Sequence, residues 1–485
     1  MNSASLPYAE HHQEPSETGV RLRIEVDSAA RAPITAFFVT AVFWLLLGSV
    51  LALVASIKLH TPGFLADSAW LTFGRVRPAH LDTVIYGWSS AACIGAGLWM
   101  MSRLCRAPIR YRRMLFASVV LWNIGNAIGL VGVLGGWSTS MEWLEYPPLA
   151  ALVLTVAFVP VMIEAVSMVR RRQPGHVYVS QWYILASFFW FPWLYATAQV
   201  LLFWHPVSGP AQPPVNWWFA HNVLGLWFTP VGLAAAYYFI PKVIGKPIHS
   251  YYLSMIGFWS LAFFYAWNGM HHLIGGPFPA WLISVSVVAS VMMFVPVITV
   301  AVNHHLTMRG SFDALRWSPT LRFVVFAAMS YTVVSFQGSL MAIRSLNRLT
   351  HFTHYTIAHA HLGMYAFVTM MMFGAIYYIV PRLTGREWPS ATAIKAHFWL
   401  CGLGVILYWV GLSIGGFKQG LALLDSNVPF IETVKLTLPY LELRSWAGTM
   451  MTLGHFIFAW SLWRVLTGRT PATGRATLLG PHPAA

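Results

Sequence analysis

Twelve stretches of about 20 mainly apolar residues follow one another along this chain of 485 residues, and each is long enough to cross a bilayer as a helix. They run roughly over 34–57, 80–102, 114–136, 147–169, 179–203, 215–240, 250–272, 279–306, 319–342, 353–381, 393–416 and 445–466. Hydrocarbon offers no water to backbone N–H and C=O groups, so only helices and closed barrels can span it. The runs are too long for barrel strands and lack period-2 alternation. An all-α, polytopic transmembrane bundle of about twelve helices is therefore expected. At 57% hydrophobic and 9% charged residues, a soluble globule is excluded. No basic segment, apolar core and small-residue cleavage site precede the first span, so no cleaved signal is expected.

The net charge of +15 would fit a nucleic-acid binder, but its placement argues for topology. Arg103, Arg106, Arg110, Arg112 and Arg113 follow the second span, Arg170, Arg171 and Arg172 the fourth, and Lys242 and Lys246 the sixth. Arg309 and Arg316 follow the eighth, Arg382, Arg386 and Lys395 the tenth, and the loops after spans three, five and seven carry no Lys or Arg. That is the positive-inside pattern of a bacterial inner-membrane protein with both termini cytoplasmic, and it leaves no role for nucleic acid. The polar segment 1–33, with His11 and His12, reads as a disordered cytoplasmic tail, 34–466 as one membrane domain and 467–485 as a second tail. A loop of about 30 residues is expected at 416–445. Cys93, Cys105 and Cys401 have no metal-like spacing, and without C-x-x-C-H no covalent c-type haem is carried here.

Polar titratable groups in hydrocarbon are costly and mark function. With the N-terminus inside, His80, His221 and the pair His359/His361 fall near the outer starts of spans two, six and ten, and span seven ends outward at His271 and His272. Four helices thus bring six histidines to one depth, the outer third of the bilayer. Two residues apart on a helix is about 200°, so His359 and His361 face opposite ways and suit two flat cofactors flanking one helix. Imidazole is the usual axial donor to haem iron. His80 can complete a six-coordinate haem with His361, whereas His359 alone leaves its iron open. His271 and His272, about 100° apart on one helical turn, can close a three-nitrogen copper or iron site with His221. His249, His304, His305, His397 and His455 read as helix–helix hydrogen-bond partners.

At these residues a resemblance becomes specific. R-V-R-P-A-H80, N-W-W-F-A-H221-N, Y265-A-W-N-G-M-H271-H272 and H351-F-T-H354-Y-T-I-A-H359-A-H361 resemble the catalytic subunit I of haem–copper oxidases, most closely the C family of cbb3-type cytochrome c oxidases. The similarity spans about 75 to 385 and includes A-Y237-Y238-F-I-P-K242 and P381-R382-L-T-G. It implies low-spin haem b on His80 and His361, high-spin haem b3 on His359, copper B on His221, His271 and His272, and a covalent link between Tyr265 and His221. It further implies a calcium ion near Glu142 and Glu145 that bridges haem propionates. Membrane-anchored c-type cytochrome subunits, fed by soluble cytochrome c, would supply electrons for reducing O2.

Tyr265 lies seven residues before His272, nearly on the same helix face and about 10 Å deeper, where a redox-active phenol is useful. Ser254 continues that stripe, and with Tyr237 and Tyr238 it is expected to line a proton route from the cytoplasm, unless these hydroxyls merely bond backbone carbonyls. Arg75, Arg77, Arg344 and Arg348, just outside the haem plane, are candidate propionate partners or headgroup anchors. Two positions depart from the family: Gln337 stands where a Glu is common, and His354 where an acid is usual. Competing functions are the nitric oxide reductase large subunit, which wants a carboxylate beside non-haem iron, a non-catalytic transporter with structural histidines, and an electron-transfer cytochrome b.

Overall fold

A computed structural model describes residues 17–472; His11, His12 and the segment 473–485 lie outside the described residues. Among these residues the chain is helical throughout apart from short links and one isolated bridge between Arg386 and Ala472. Twelve helical units follow in order: α1 Glu17–His60, α2 Phe73–Cys105, α3 Arg112–Gly135, α4 Pro148–Arg170, α5 Val179–Trp204 and α6 Gly209–Ile244. Next come α7 Tyr251–Tyr265, α8 Ala280–Met308, α9 Pro319–Met341, α10 His354–Thr384, α11 Ala391–Leu424 and α12 Phe430–Leu466. Ten are long and apolar enough to cross a membrane. The other two are α7, shortened by an early break, and α12, which carries Glu432, Lys435, Glu442 and Arg444.

The histidine-bearing helices lie innermost. In the most apolar windows of α2, α6 and α10, 94, 89 and 83% of residues are buried, against 39 to 56% in the other spans. Each departs from α geometry just past its histidine, with wider π turns at Thr83–Ser90, Val223–Phe228 and Leu362–Thr369. Such turns leave carbonyls without their usual partners, and side chains take them up. Ser90 Oγ donates to the Ile85 carbonyl at 2.8 Å, and Thr369 Oγ1 to that of Met364 at 3.0 Å. The same hydroxyls tie the three helices together: the Trp227 indole donates to Ser90 Oγ at 3.1 Å and the Trp88 indole to Thr369 Oγ1 at 3.0 Å. Gly87 lets α1 approach here, since a methyl group at that position would sit 2.7 Å from Trp44 Cβ.

Three expectations change. The stretch 17–33 is helix rather than tail, docked where Arg103 pairs with Asp27 at 2.8 Å and Arg31 donates to the Leu383 carbonyl. Local composition could not show these long-range partners. The 416–445 loop is also helix, because α11 runs to Leu424 and α12 starts at Phe430. Span seven is not one helix: α7 ends at Tyr265, and Asn268–Leu273 forms a separate 3-10 turn. Serines of α8 stand in for the missing helical partners, for the His271 N–H donates to Ser286 Oγ at 2.8 Å and that hydroxyl donates to the Asn268 carbonyl at 2.5 Å.

Candidate metal centre and its cavities

Three histidines from two elements converge at the end of α7. His221 stands on α6, and the 3-10 turn carries His271 and His272, so that one ring nitrogen of each lies within 4.8 Å of the others. His271 Nδ1 is 2.8 Å from Ser290 Oγ, which leaves Nε2 for a metal. Trp217 stacks on His272 with ring centroids 4.1 Å apart and 9° between planes, fixing that ring. His221 Nδ1 is buried with no hydrogen-bond partner, an orphan that a ligated ion would satisfy. A site of neutral imidazoles in dry surroundings fits a copper ion well.

Tyr265 packs on His221 with ring centroids 4.6 Å apart and 31° between planes. Its ring fills the space where Gly225 of α6 lacks a side chain, and any Cβ there would overlap it. Gly225→Ala is therefore expected to force the phenol away from His221, with a stability loss of about 1–3 kcal/mol from overpacking. Thermal unfolding together with copper content checks this, and wild-type values for both would show that the ring gives way freely.

A cavity of about 770 Å³ joins His221, His271 and Tyr265 to His359 of α10. His359 Nδ1 is buried and unpartnered. A second cavity, of about 910 Å³, lies on the other side of α10 between His361 and His80. His80 Nδ1 is bound to the Gly48 carbonyl at 2.9 Å, and His361 Nδ1 to that of Ile357 at 2.9 Å. A ring nitrogen facing a carbonyl must carry the proton, so on both rings Nε2 carries the lone pair that an axial metal bond needs, shared at His361 with a hydroxyl that a metal would displace. The Tyr408 hydroxyl lies 3.2 Å from His361 Nε2. Two cavities flanking one helix, each with histidine, fit a pair of haems.

The other candidate residues fare unevenly. Ser254 Oγ donates to the Tyr251 carbonyl at 2.6 Å, Tyr238 packs edge-on against Trp99 with centroids 5.8 Å apart, and Tyr237 stacks on Tyr183. None of these three lines the Tyr265 cavity; Tyr331, Ser335 and Thr229 do line it. None of the four candidate arginines lines either cavity. Arg77 pairs with Glu142 at 2.8 Å and Glu145 at 3.8 Å, Arg75 donates to the Leu134 carbonyl at 3.1 Å, and Arg344 to Ser284 Oγ at 2.9 Å. Arg348 sits on the short helix Arg344–Thr350. The arginine lining the second cavity is Arg444 of α12, missed because its helix was read as loop.

Arg77 pairs with both members of the Glu142 and Glu145 pair that was expected to hold calcium, and offsets one of their two charges. Burial, then the Glu142 charge, pushes the Glu145 carboxyl up to about 7. Asp82, fully buried, adds a third carboxyl that the sequence reading overlooked. Gln337 accepts from the Trp409 indole at 3.0 Å, and the His354 N–H donates to Gln419 at 2.9 Å, so neither occupies the metal centre.

A family model described as cytochrome c and quinol oxidase polypeptide I matches residues 32–450. The "cytochrome c oxidase subunit 1 homolog" of Azorhizobium caulinodans is 33% identical over 454 residues, covering 90% of this chain and 82% of that protein. The cbb3-type cytochrome c oxidase subunit CcoN1 of Stutzerimonas stutzeri is 29% identical over 452 residues, covering 90% and 95%. The fold is also similar to a cryo-EM structure of a heme-copper terminal oxidase dimer, with a TM-score of 0.69 at 13% identity, over 96% of this chain and 88% of that one.

Proposed function

The chain belongs to the cytochrome c and quinol oxidase polypeptide I family, and from that premise we propose that it is the catalytic subunit of a cbb3-type terminal oxidase that reduces O2 to water. The three-histidine cluster that shares one cavity with His359 and carries Tyr265 against His221 is the observation behind this reading. His80 and His361 hold low-spin haem b, His359 holds high-spin haem b3, and His221, His271 and His272 hold copper B. When bound, these groups supply the electrons and the metal positions for oxygen. Tyr265 Oη holds a proton at that cavity and is placed to release it as the O–O bond breaks; its covalent link to His221 belongs to the same proposal. Arg444 takes the place given above to Arg75, Arg77, Arg344 and Arg348 as the propionate partner. A calcium ion at Glu142 and Glu145 belongs to the same proposal, since Arg77 offsets only one of their two charges. Tyr331 and Thr229 form the inner end of a proton route that Ser254, Tyr237 and Tyr238 begin on the cytoplasmic side.

The protein is a multi-pass membrane subunit of an oxidase complex. With no haem-attachment motif in this chain, electrons from cytochrome c arrive through membrane-anchored c-type cytochrome subunits. Both termini lie in the cytoplasm of a bacterium, by the arginine distribution, and the metal centre lies toward the outer face. Nitric oxide reductase would place a carboxylate by the metal, but among the described residues no Asp or Glu lines the cavity. Optical spectra and metal analysis of the purified complex are expected to show two b-type haems and one copper. Two haem irons with a third, non-haem iron and no copper would transfer the assignment to nitric oxide reductase.

A further inference from the structure

Several guanidinium groups on the arginine-rich face are used within the protein. Arg103 pairs with Asp27 at 2.8 Å, Arg31 donates to the Leu383 carbonyl, and Arg386 donates to that of Gly468 at 2.9 Å. Arg110 and Arg170 are placed differently. With Arg171 they line a groove of about 910 Å³ beside α4 and α5, and no Asp or Glu lines it. Both are exposed, and among the described residues neither enters an ion pair. The Arg110 guanidinium rests 5.5 Å from the centroid of the Tyr111 ring.

A buried acid organises this edge. The Glu164 carboxylate of α4 is fully buried, accepts from the backbone N–H of Arg110 at 3.0 Å and of Tyr111 at 2.8 Å, and pairs with Arg171 at 3.3 Å. Arg171 also donates to the Pro108 carbonyl at 3.0 Å and to Ser167 Oγ at 3.1 Å. A guanidinium has five N–H groups, so Arg171 keeps donors to spare. One carboxylate thus fixes both the loop that carries Arg110 and the Arg171 side chain, and its single charge is used on Arg171. Arg110 and Arg170 leave the mouth of the groove positive. The rest of the groove is apolar and runs toward the hydrocarbon. Met162 stands eight residues before Arg170 on α4, about 12 Å deeper. Ile163 and Phe189 beside it are 40 and 44% exposed.

We propose that this groove is a binding site for an anionic phospholipid of the leaflet on the arginine-rich side. The phosphodiester sits on Arg110, Arg170 and Arg171, and an acyl chain lies along Met162, Val166 and Phe189. Charge complementarity selects the occupant, because guanidinium groups held in place match phosphate oxygens and basic pockets between spans attract anionic lipid. A zwitterionic lipid would bring an ammonium group in among three arginines. A protein laid over the mouth would need acids of its own to bury those arginines without loss. A soluble anion would leave the apolar trough unfilled. The spans α4 and α5 carry none of the six clustered histidines, so the site goes beyond the proposed function and does not depend on it.

The test titrates the intact complex in detergent with phosphatidylglycerol, and separately with phosphatidylethanolamine of the same chains, and follows the first lipid bound by native mass spectrometry. The wild-type complex is expected to prefer phosphatidylglycerol. Arg110→Gln with Arg170→Gln is expected to weaken its binding by about tenfold or more and to leave phosphatidylethanolamine unchanged. Val166→Trp, which fills the trough and keeps every charge, is expected to weaken binding as well. Arg309→Gln with Arg316→Gln, an exposed pair elsewhere on the same face, is expected to keep the wild-type affinity. Equal loss in that control pair would reduce the effect to general attraction by a basic face and overturn the site. Wild-type affinity in the Arg110 and Arg170 double variant overturns it too, as does a wild-type complex with no preference for the anionic lipid, the result expected where another subunit covers the groove. Displacement of the lipid by millimolar inorganic phosphate would make this a site for a soluble anion and overturn the lipid assignment.

Discussion

The His271→Ala complex is expected to keep both haems and lose its copper. His271 offers one of only three imidazoles in the cluster, whereas the haem-facing His80, His359 and His361 stand on other helices, outside that cluster. Two imidazoles cannot close the site, so metal analysis should find copper absent while the haem absorption persists. Ser290→Ala is the milder companion: it removes only the 2.8 Å partner of His271 Nδ1, and about 10–100-fold weaker copper affinity is expected. Full copper occupancy in His271→Ala would remove this residue from the ligand set. Loss of haem together with copper would mean that the turn Asn268–Leu273 holds the bundle itself, not just an ion.

Tyr265→Phe should do the reverse, leaving every metal in place and stopping turnover. The phenyl ring fills the same space against Gly225 and His221, so packing is unchanged and only the hydroxyl is lost. A group that delivers a proton in the rate-determining step contributes on the order of 10²–10⁴-fold, and a loss of at least that size in O2 reduction is expected. Peptide mapping of the wild-type protein should find Tyr265 joined to His221, and the variant should lack the joined peptide. Turnover near the wild-type rate would leave the phenol without a role in the reaction.

What the chain disclosed before its structure was whatever depends on near neighbours. Long apolar runs needed only length and composition, and the six histidines only their depth along those runs. The break after Tyr265 was hidden because Ser286 and Ser290, which satisfy the turn, come from the next helix. Ser254 and Tyr265 do share α7, but the hydroxyls that line the cavity with Tyr265 come from α6 and α9, which spacing along one helix could not bring there. Residues 17–33 read as tail because Asp27 and Arg31 look solvated until Arg103 and the Leu383 carbonyl are brought to them. Arg444 was passed over because four charges interrupt the hydropathy of α12, and a charged helix beside apolar ones looks like a loop.

The wide turns past His80, His221 and His361 make chain length, more than residue identity, the guarded quantity in these segments. Each residue advances an α-helix by about 100°, and a wide turn holds one residue more than the regular helix would. Trp88 and Trp227 pin the turns to one another at Thr369 and Ser90, so the lower half of each helix cannot rotate to compensate. Removing a single residue anywhere in 83–90, 223–228 or 362–369 would relax that turn to α geometry and swing the histidine above it by roughly a quarter of a circle. Apolar exchanges that spare Gly87, Gly225, Trp88 and Trp227 would leave the bearing of the imidazole untouched. Genetic drift in these stretches should thus run through substitution at the positions that neither pin the turns nor make room for a neighbour, and hardly at all through insertion or deletion.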